Sequence, residues 1–125
     1  RTITYTPYYI NTGSDFDGIN YNITNGIFDG YEFIFDNTAD YTNFAMVTGT
    51  SNKFVGNGAT LVGFTDNLFT ITGSSGIVIT GFNMNINNST KAAIYGSGVE
   101  DVEITNNVIS GGKDGINIFT NIENN

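Results

Sequence analysis

The sequence predicts an all-β chain wound into a parallel β-helix, a solenoid of about four to five coils with about 22–25 residues in each. Three observations point there. Asn, Thr and Gly number 19, 17 and 16, a mixture of turn formers and strand formers, while good helix formers are scarce. Short runs that alternate apolar and polar residues recur along the whole chain. The apolar residues also fall into register at a spacing of 25. One such unit cannot bury its own apolar face, but a stack of them makes a continuous core.

The elements follow in order. Thr2-Ile3-Thr4-Tyr5 alternates like a strand, but residues 1–16 do not join the repeat, so they are assigned as an N-terminal lead-in or capping segment. Residues 17–125 hold the coils. Tyr31-Glu32-Phe33-Ile34-Phe35 is the next alternating run. Three strand-like stretches per coil then appear near 52–56, 59–62 and 68–72, and again near 77–80, 82–86 and 92–95. Val102-Glu103-Ile104 begins a further set. No window carries apolar residues at helical spacing over three turns, so no helix is expected.

The repeat predicts ladders of like side chains. Phe44, Phe69 and Ile94 are spaced by 25, Ile19 lies 25 before Phe44, and Ile116 follows Ile94 after 22, with the shortening placed at Gly111-Gly112. Two residues on, Tyr21, Met46, Ile71, Gly96 and Ile118 form a second column, apolar except at Gly96. Phe54, Ile79 and Ile104 form another, and Ala59, Met84 and Ile109 another. Asp17-Gly18-Ile19-Asn20 recurs in the same register as Asp114-Gly115-Ile116-Asn117. A propeller blade needs roughly 40 residues, and a leucine-rich repeat needs a Leu/Asn consensus that is absent.

Composition closes off several functions. The net charge of −8, from 12 acidic and 4 basic residues, opposes a nucleic-acid backbone or an anionic membrane surface. Without Cys or His there is no thiol nucleophile, no Ser–His–Asp triad and no His- or Cys-ligated zinc. No apolar run approaches the roughly 20 residues that cross a bilayer. The chain starts at Arg1 without a Met and stops at Asn125 inside the repeat, which reads as a piece of something longer.

Ile77–Met84, Val102–Ile109 and Phe54–Leu61 look like rungs of the right-handed parallel β-helix superfamily that includes pectate lyases. The Asn- and Thr-laden, Cys-free, acidic character is similar to the large adhesin-like surface proteins of archaea and bacteria. That resemblance implies an extracellular, cell-surface location and a structural or adhesive role. The implied partners are a surface polysaccharide or protein; the open edges of the stack predict end-to-end association, and a tailspike-like module would instead form trimers.

Each candidate site residue has a plainer reading beside the functional one. Asp15-x-Asp17-Gly18 begins like a calcium loop but lacks the later ligands, and an Asp-Gly turn opening a strand also accounts for it. Asp17 and Asp114 share a column but lie four coils apart, roughly 19 Å, too far to act on one glycosidic bond. Glu100, Asp101 and Glu103 are the densest acidic group and a second position for a divalent cation, or simply the outward face of a strand. Asp17, Asp101 and Asp114 are thus the positions where Ca²⁺ would be sought; no cofactor and no catalytic residue is assigned. Lys91 and Lys113 should sit in adjacent coils on one edge, where resemblance to pectate lyases suggests a base and ordinary solvation suggests a loop pair. Asn106 and Asn107 fall at a corner where an amide bonds neighbouring backbones. Tyr5, Tyr8, Tyr9, Phe16, Tyr21, Tyr31 and Tyr41 crowd the first third, either to bind glycan or to cover the end of the core.

The expected function is therefore a non-catalytic structural or adhesive segment. The alternatives are a polysaccharide-active lyase or hydrolase and a tailspike-like glycan-binding module.

Overall fold

The structure, a computed structural model, describes residues 4–72 and 76–120. Among them the order is β1 (Thr6–Ile10), α1 (Phe16–Thr24), β2 (Tyr31–Phe35), β3 (Tyr41–Thr42), β4 (Met46–Val47), β5 (Lys53–Val55), β6 (Thr60–Gly63), β7 (Phe69–Ile71), β8 (Ile77–Thr80), β9 (Asn83–Ile86), β10 (Ala92–Val99), β11 (Val102–Thr105), β12 (Val108–Gly111) and β13 (Asp114–Thr120). The strands build three sheets, in the orders β1-β2-β5-β8-β11, β3-β6-β9-β12 and β4-β7-β10-β13. Every pairing is parallel. From β2 onward each coil gives one strand to each sheet in turn. The protein is a parallel β-solenoid of about four turns.

Alternate residues of each strand point inward, which is why β6 and β8 alternate between buried and half-buried along their length. The inward positions stack coil on coil. Phe33, Phe54, Ile79 and Ile104 are successive register partners in the first sheet, and the Phe33 and Phe54 rings stack at 5.1 Å and 13°. Phe69 bridges inward from the third sheet, 5.3 Å from the Phe54 ring and 5.4 Å from Phe82. Phe33, Phe54 and Phe69 are fully buried. Offset and edge contacts of this kind add to the stabilisation from burial.

Two register slips break three of the columns expected at a spacing of 25, Phe44–Phe69, Met46–Ile71 and Ala59–Met84. Phe69 pairs with Met46, not Phe44, and Met84 pairs with Leu61, not Ala59. Both are slips of two residues. In a strand such a slip keeps every side chain on its own face, so the apolar pattern cannot distinguish the two registers. Phe44 still lies in the core, its ring 5.3 Å from Phe69, but it occupies the corner before β4. The slip at Leu61 comes from the turn at Asn57 and Gly58, both with positive φ (54° and 90°). The corner after β6 is shorter in compensation, so Phe69 and Ile94 return to register. The 22-residue step from Ile94 to Ile116 is present, with Gly111 and Gly112 at φ 79° and 77°. A Cβ at Gly111 would collide with the Ile86 carbonyl, so this corner accepts glycine only. Gly96 lies between the register partners Ile71 and Ile118, and a Cβ there would come within 3.0 Å of Ile71 Cβ.

The larger correction is α1. Ile19 and Tyr21 belong to this helix rather than to a ladder strand. Asp15 caps it, its Oδ1 accepting from the Gly18 N–H at 3.0 Å. Ile19 and Ile23, one turn apart, are buried, whereas Tyr21 is 66% exposed. Phe16 packs edge-on against Tyr41 and Phe44 at 6.1 and 5.7 Å. The helix is nine residues long, shorter than the three turns over which helical periodicity is recognisable. It covers the β4 side of one end of the solenoid, where β1 remains the outer strand of the first sheet. At the other end Val102, Ile104, Ile109 and Ile118 are half-buried, and Ile116 is 47% exposed.

Thr48 is fully buried, and its Oγ1 finds no hydrogen-bond partner among the described residues. Thr48→Val keeps the shape and removes the stranded hydroxyl. It should stabilise the fold by about 1 kcal/mol, read as a higher denaturation midpoint at unchanged m-value.

Candidate functional site

The acidic candidates are not brought together. Asp17 lies in the first turn of α1. Asp101 is an exposed turn residue at φ 53° whose carbonyl accepts from the Gly76 and Ile77 N–H groups. Asp114 opens β13 and accepts from Asn117 Nδ2 at 3.2 Å. No group of three or more Asp, Glu, His or Cys placed to hold a metal ion occurs among the described residues. Glu103 points outward on β11 in the column Glu32, Lys53, Val78, Glu103. Tyr5 lies against this column, 5.9 Å under Lys53 Nζ. Partial burial raises the Tyr5 pKa, reinforced by the carboxylates of Glu32 and Glu103.

Lys91 and Lys113 do meet. The Lys113 N–H donates to the Lys91 carbonyl at 2.9 Å, and both side chains line a groove of about 220 Å³ with Tyr95, Asp114 and Asn117. Lys91 is already ion-paired with Asp66 at 3.7 Å. The pairing comes from parallel stacking, which sets equivalent residues of adjacent coils one above the other.

A second cleft, of about 260 Å³, opens between α1 and the β3–β4 corner and is lined by Thr12, Phe16, Asp17, Asn20, Asp40, Tyr41, Thr42, Asn43, Phe44 and Ala45. Its walls are built from different forces. Tyr41 is the anchor, only 3% exposed, its hydroxyl donating to Asp36 O at 2.6 Å and Ile10 O at 3.2 Å. Burial, and then the Asp36 carboxylate, raise its pKa. Asn20 is the hinge pin of the helix side: its Nδ2 donates to Ala45 O at 3.1 Å and its Oδ1 accepts from Val47 N–H at 3.0 Å. One amide thus satisfies the free edge of β4 as a neighbouring strand would. Asn43, at φ 52°, turns the corner. Asp40 and the helix arrangement of Asp17 with Asn20 have no signal in a 25-residue repeat, because they depend on α1.

Asparagine does the same work at other corners. Asn107 Oδ1 accepts from Phe82 N–H at 2.9 Å and its Nδ2 donates to Ile79 O at 3.0 Å. Its neighbour Asn106 sits at φ 57°. Asn52, fully buried, accepts from Tyr31 N–H at 2.8 Å and donates to Phe28 O and Thr48 O at 2.7 and 2.8 Å. Asn52 and Asn20 act only through tertiary contacts: nothing in the sequence around Asn52 marks it, and the Asp-Gly-Ile-Asn repeat marks Asn20 as a ladder residue and not as a partner of β4.

No family model, curated protein or solved structure matches the chain.

Asn107→Ala leaves a buried N–H and a carbonyl without their partner and should cost about 1–3 kcal/mol. Asn106→Gly, which suits the same backbone angle, should change stability by less than about 0.5 kcal/mol. Paired urea denaturations of the two variants check this contrast.

Tyr41 sets an alkaline limit. Its folded pKa lies above the unfolded value, so its contribution is fully present below about pH 10 and is lost as pH rises through the folded value. Tyr41→Phe should lower stability at neutral pH by about 1 kcal/mol and flatten the decline above about pH 10. Thermal melts of both proteins across that range measure the difference.

Proposed function

We propose that the chain is a non-catalytic structural and adhesive segment of a long extracellular cell-surface protein. In this reading it is a right-handed β-helix of the pectate-lyase-like type, most like the adhesin-like surface proteins of archaea and bacteria. The observation that carries the reading is the unlike construction of the two solenoid ends. At one, α1 buries Ile19 and Ile23 and Asn20 occupies the edge of β4. At the other, β11, β12 and β13 end their sheets, with Val102, Ile104, Ile109 and Ile118 half-buried. One end partly covered by α1, with β1 still the outer strand of its sheet, and strand edges at the other able to accept more β-structure suit a spacer that lengthens coil by coil. Backbone hydrogen bonding from coil to coil suits it to a harsh exterior. The net charge of −8 favours partners that are neutral or cationic.

The groove holding Lys91, Lys113, Tyr95 and Asp114 favours a second reading, a polysaccharide-active β-helix in which a lysine serves as base. Turnover separates the two. Incubated with neutral and acidic polysaccharides, in Ca²⁺ and in chelator, the folded chain should release neither reducing ends nor unsaturated products. Product release that Lys113→Ala abolishes would replace the structural reading with the enzymatic one.

A further inference from the structure

We propose that the cleft between α1 and the β3–β4 corner binds one neutral sugar residue of a surface glycan, an inference that rests on the adhesive reading above. Its volume, about 260 Å³, lies just under the range of about 300–1,000 Å³ typical of small-molecule sites, which suits a single ring and not a stretch of chain. Besides Asn20, its polar lining includes the exposed Thr12, Asp17, Asp40, Thr42 and Asn43, beside the half-buried Phe16. The side chains of Asp17, Asp40 and Asn43 make no hydrogen bond or ion pair with other described residues. The amide of Asn20, on the helix wall of the cleft, is committed to Ala45 O and Val47 N–H. Those of Asn37, Asn83 and Asn88 are likewise committed to carbonyls one coil away, Asn57 O, Gly58 O and Phe64 O, at 2.7, 3.1 and 2.8 Å, whereas the Asn43 amide is not.

The chemistry of the lining selects the ligand. Ionised carboxylates only accept hydrogen bonds, whereas the Thr hydroxyls and the Asn amide both donate and accept. A polyhydroxylated ring supplies both kinds of partner. Among the described residues no Lys or Arg lines the cleft, and two of the lysines are paired elsewhere, Lys53 with Glu32 and Lys91 with Asp66. A uronate or sulfated sugar would therefore meet two carboxylates with no compensating cation among the described residues. The apolar wall is preorganised, since Phe16 is wedged against the Tyr41 and Phe44 rings, and an aromatic side chain offers contact to the C–H face of a neutral pyranose.

The test is an NMR titration of the intact chain with neutral gluco-, manno- and galacto-oligosaccharides, an oligogalacturonate, and CaCl₂ alone. A neutral oligosaccharide should shift resonances of Thr12, Asp40, Thr42 and Asn43. Asp40→Asn and Asn43→Gly, both at exposed positions, should weaken it at least tenfold with unchanged melting temperature. Glycine keeps the backbone angle at position 43, so misfolding does not confound that variant. Binding that both variants retain would overturn the site while leaving the adhesive reading standing on another flank. Preference for the oligogalacturonate, or cleft shifts with CaCl₂ alone, would overturn the ligand chemistry. No binding by any sugar would overturn the site, and the turnover assay would still decide the structural reading independently.

Discussion

Everything in this solenoid depends on one constraint, that an inward side chain must sit directly above its counterpart in the coil before. Parallel strands stack at about 4.8 Å, so like residues in register touch face to face, as Phe33 and Phe54 do at 5.1 Å. Once Phe33, Phe54, Ile79 and Ile104 are stacked, the remaining sheets are held at the distance those side chains span. Phe69 from the third sheet and Phe82 from the corner between β8 and β9 then fill the interior. The core is thus a column, and each coil depends on the next for burial.

A column alone would leave the corners untied. The corners are where the chain leaves the ladder and its backbone groups lose their strand partners. Asparagine serves there in two ways. Asn43, Asn57 and Asn106 take positive φ, which most residues resist. Asn107, Asn52 and Asn20 instead use the amide, whose donor and acceptor match a peptide's own, to bond backbone of another segment. Each such bond spans about one coil in sequence, so it fixes register where the ladders are interrupted.

The helix α1 gives the molecule its polarity. A stack of coils has two apolar ends, and an exposed β-edge invites association. Placing Ile19 and Ile23 over one end and Asn20 along β4 relieves that liability at the β4 edge, while β1 stays the outer strand of the first sheet. The same packing creates the cleft, because a helix laid against short strands cannot follow their surface. Head cap and candidate sugar site therefore share a single origin.

Much of this was legible in the residues. The all-β class, the three strands per coil, the Phe54–Ile79–Ile104 ladder and the shortened coil at Gly111-Gly112 follow from composition and spacing, because burial on a stack demands a repeat. Phe44 and Ala59 show where that logic stops. A two-residue slip preserves inward parity, so Met46 and Leu61 satisfy the pattern equally, and the turn at Asn57-Gly58 and the corner geometry choose between them. Asp-Gly-Ile-Asn shows it more sharply. At 114–117 it lies in β13, with Ile116 paired to Ile94, and at 17–20 it is helix, capped by Asp15 and seated on the core. Sequence by itself determined that this chain stacks; which tetrapeptide becomes ladder and which becomes lid was decided by the surfaces already waiting to be covered.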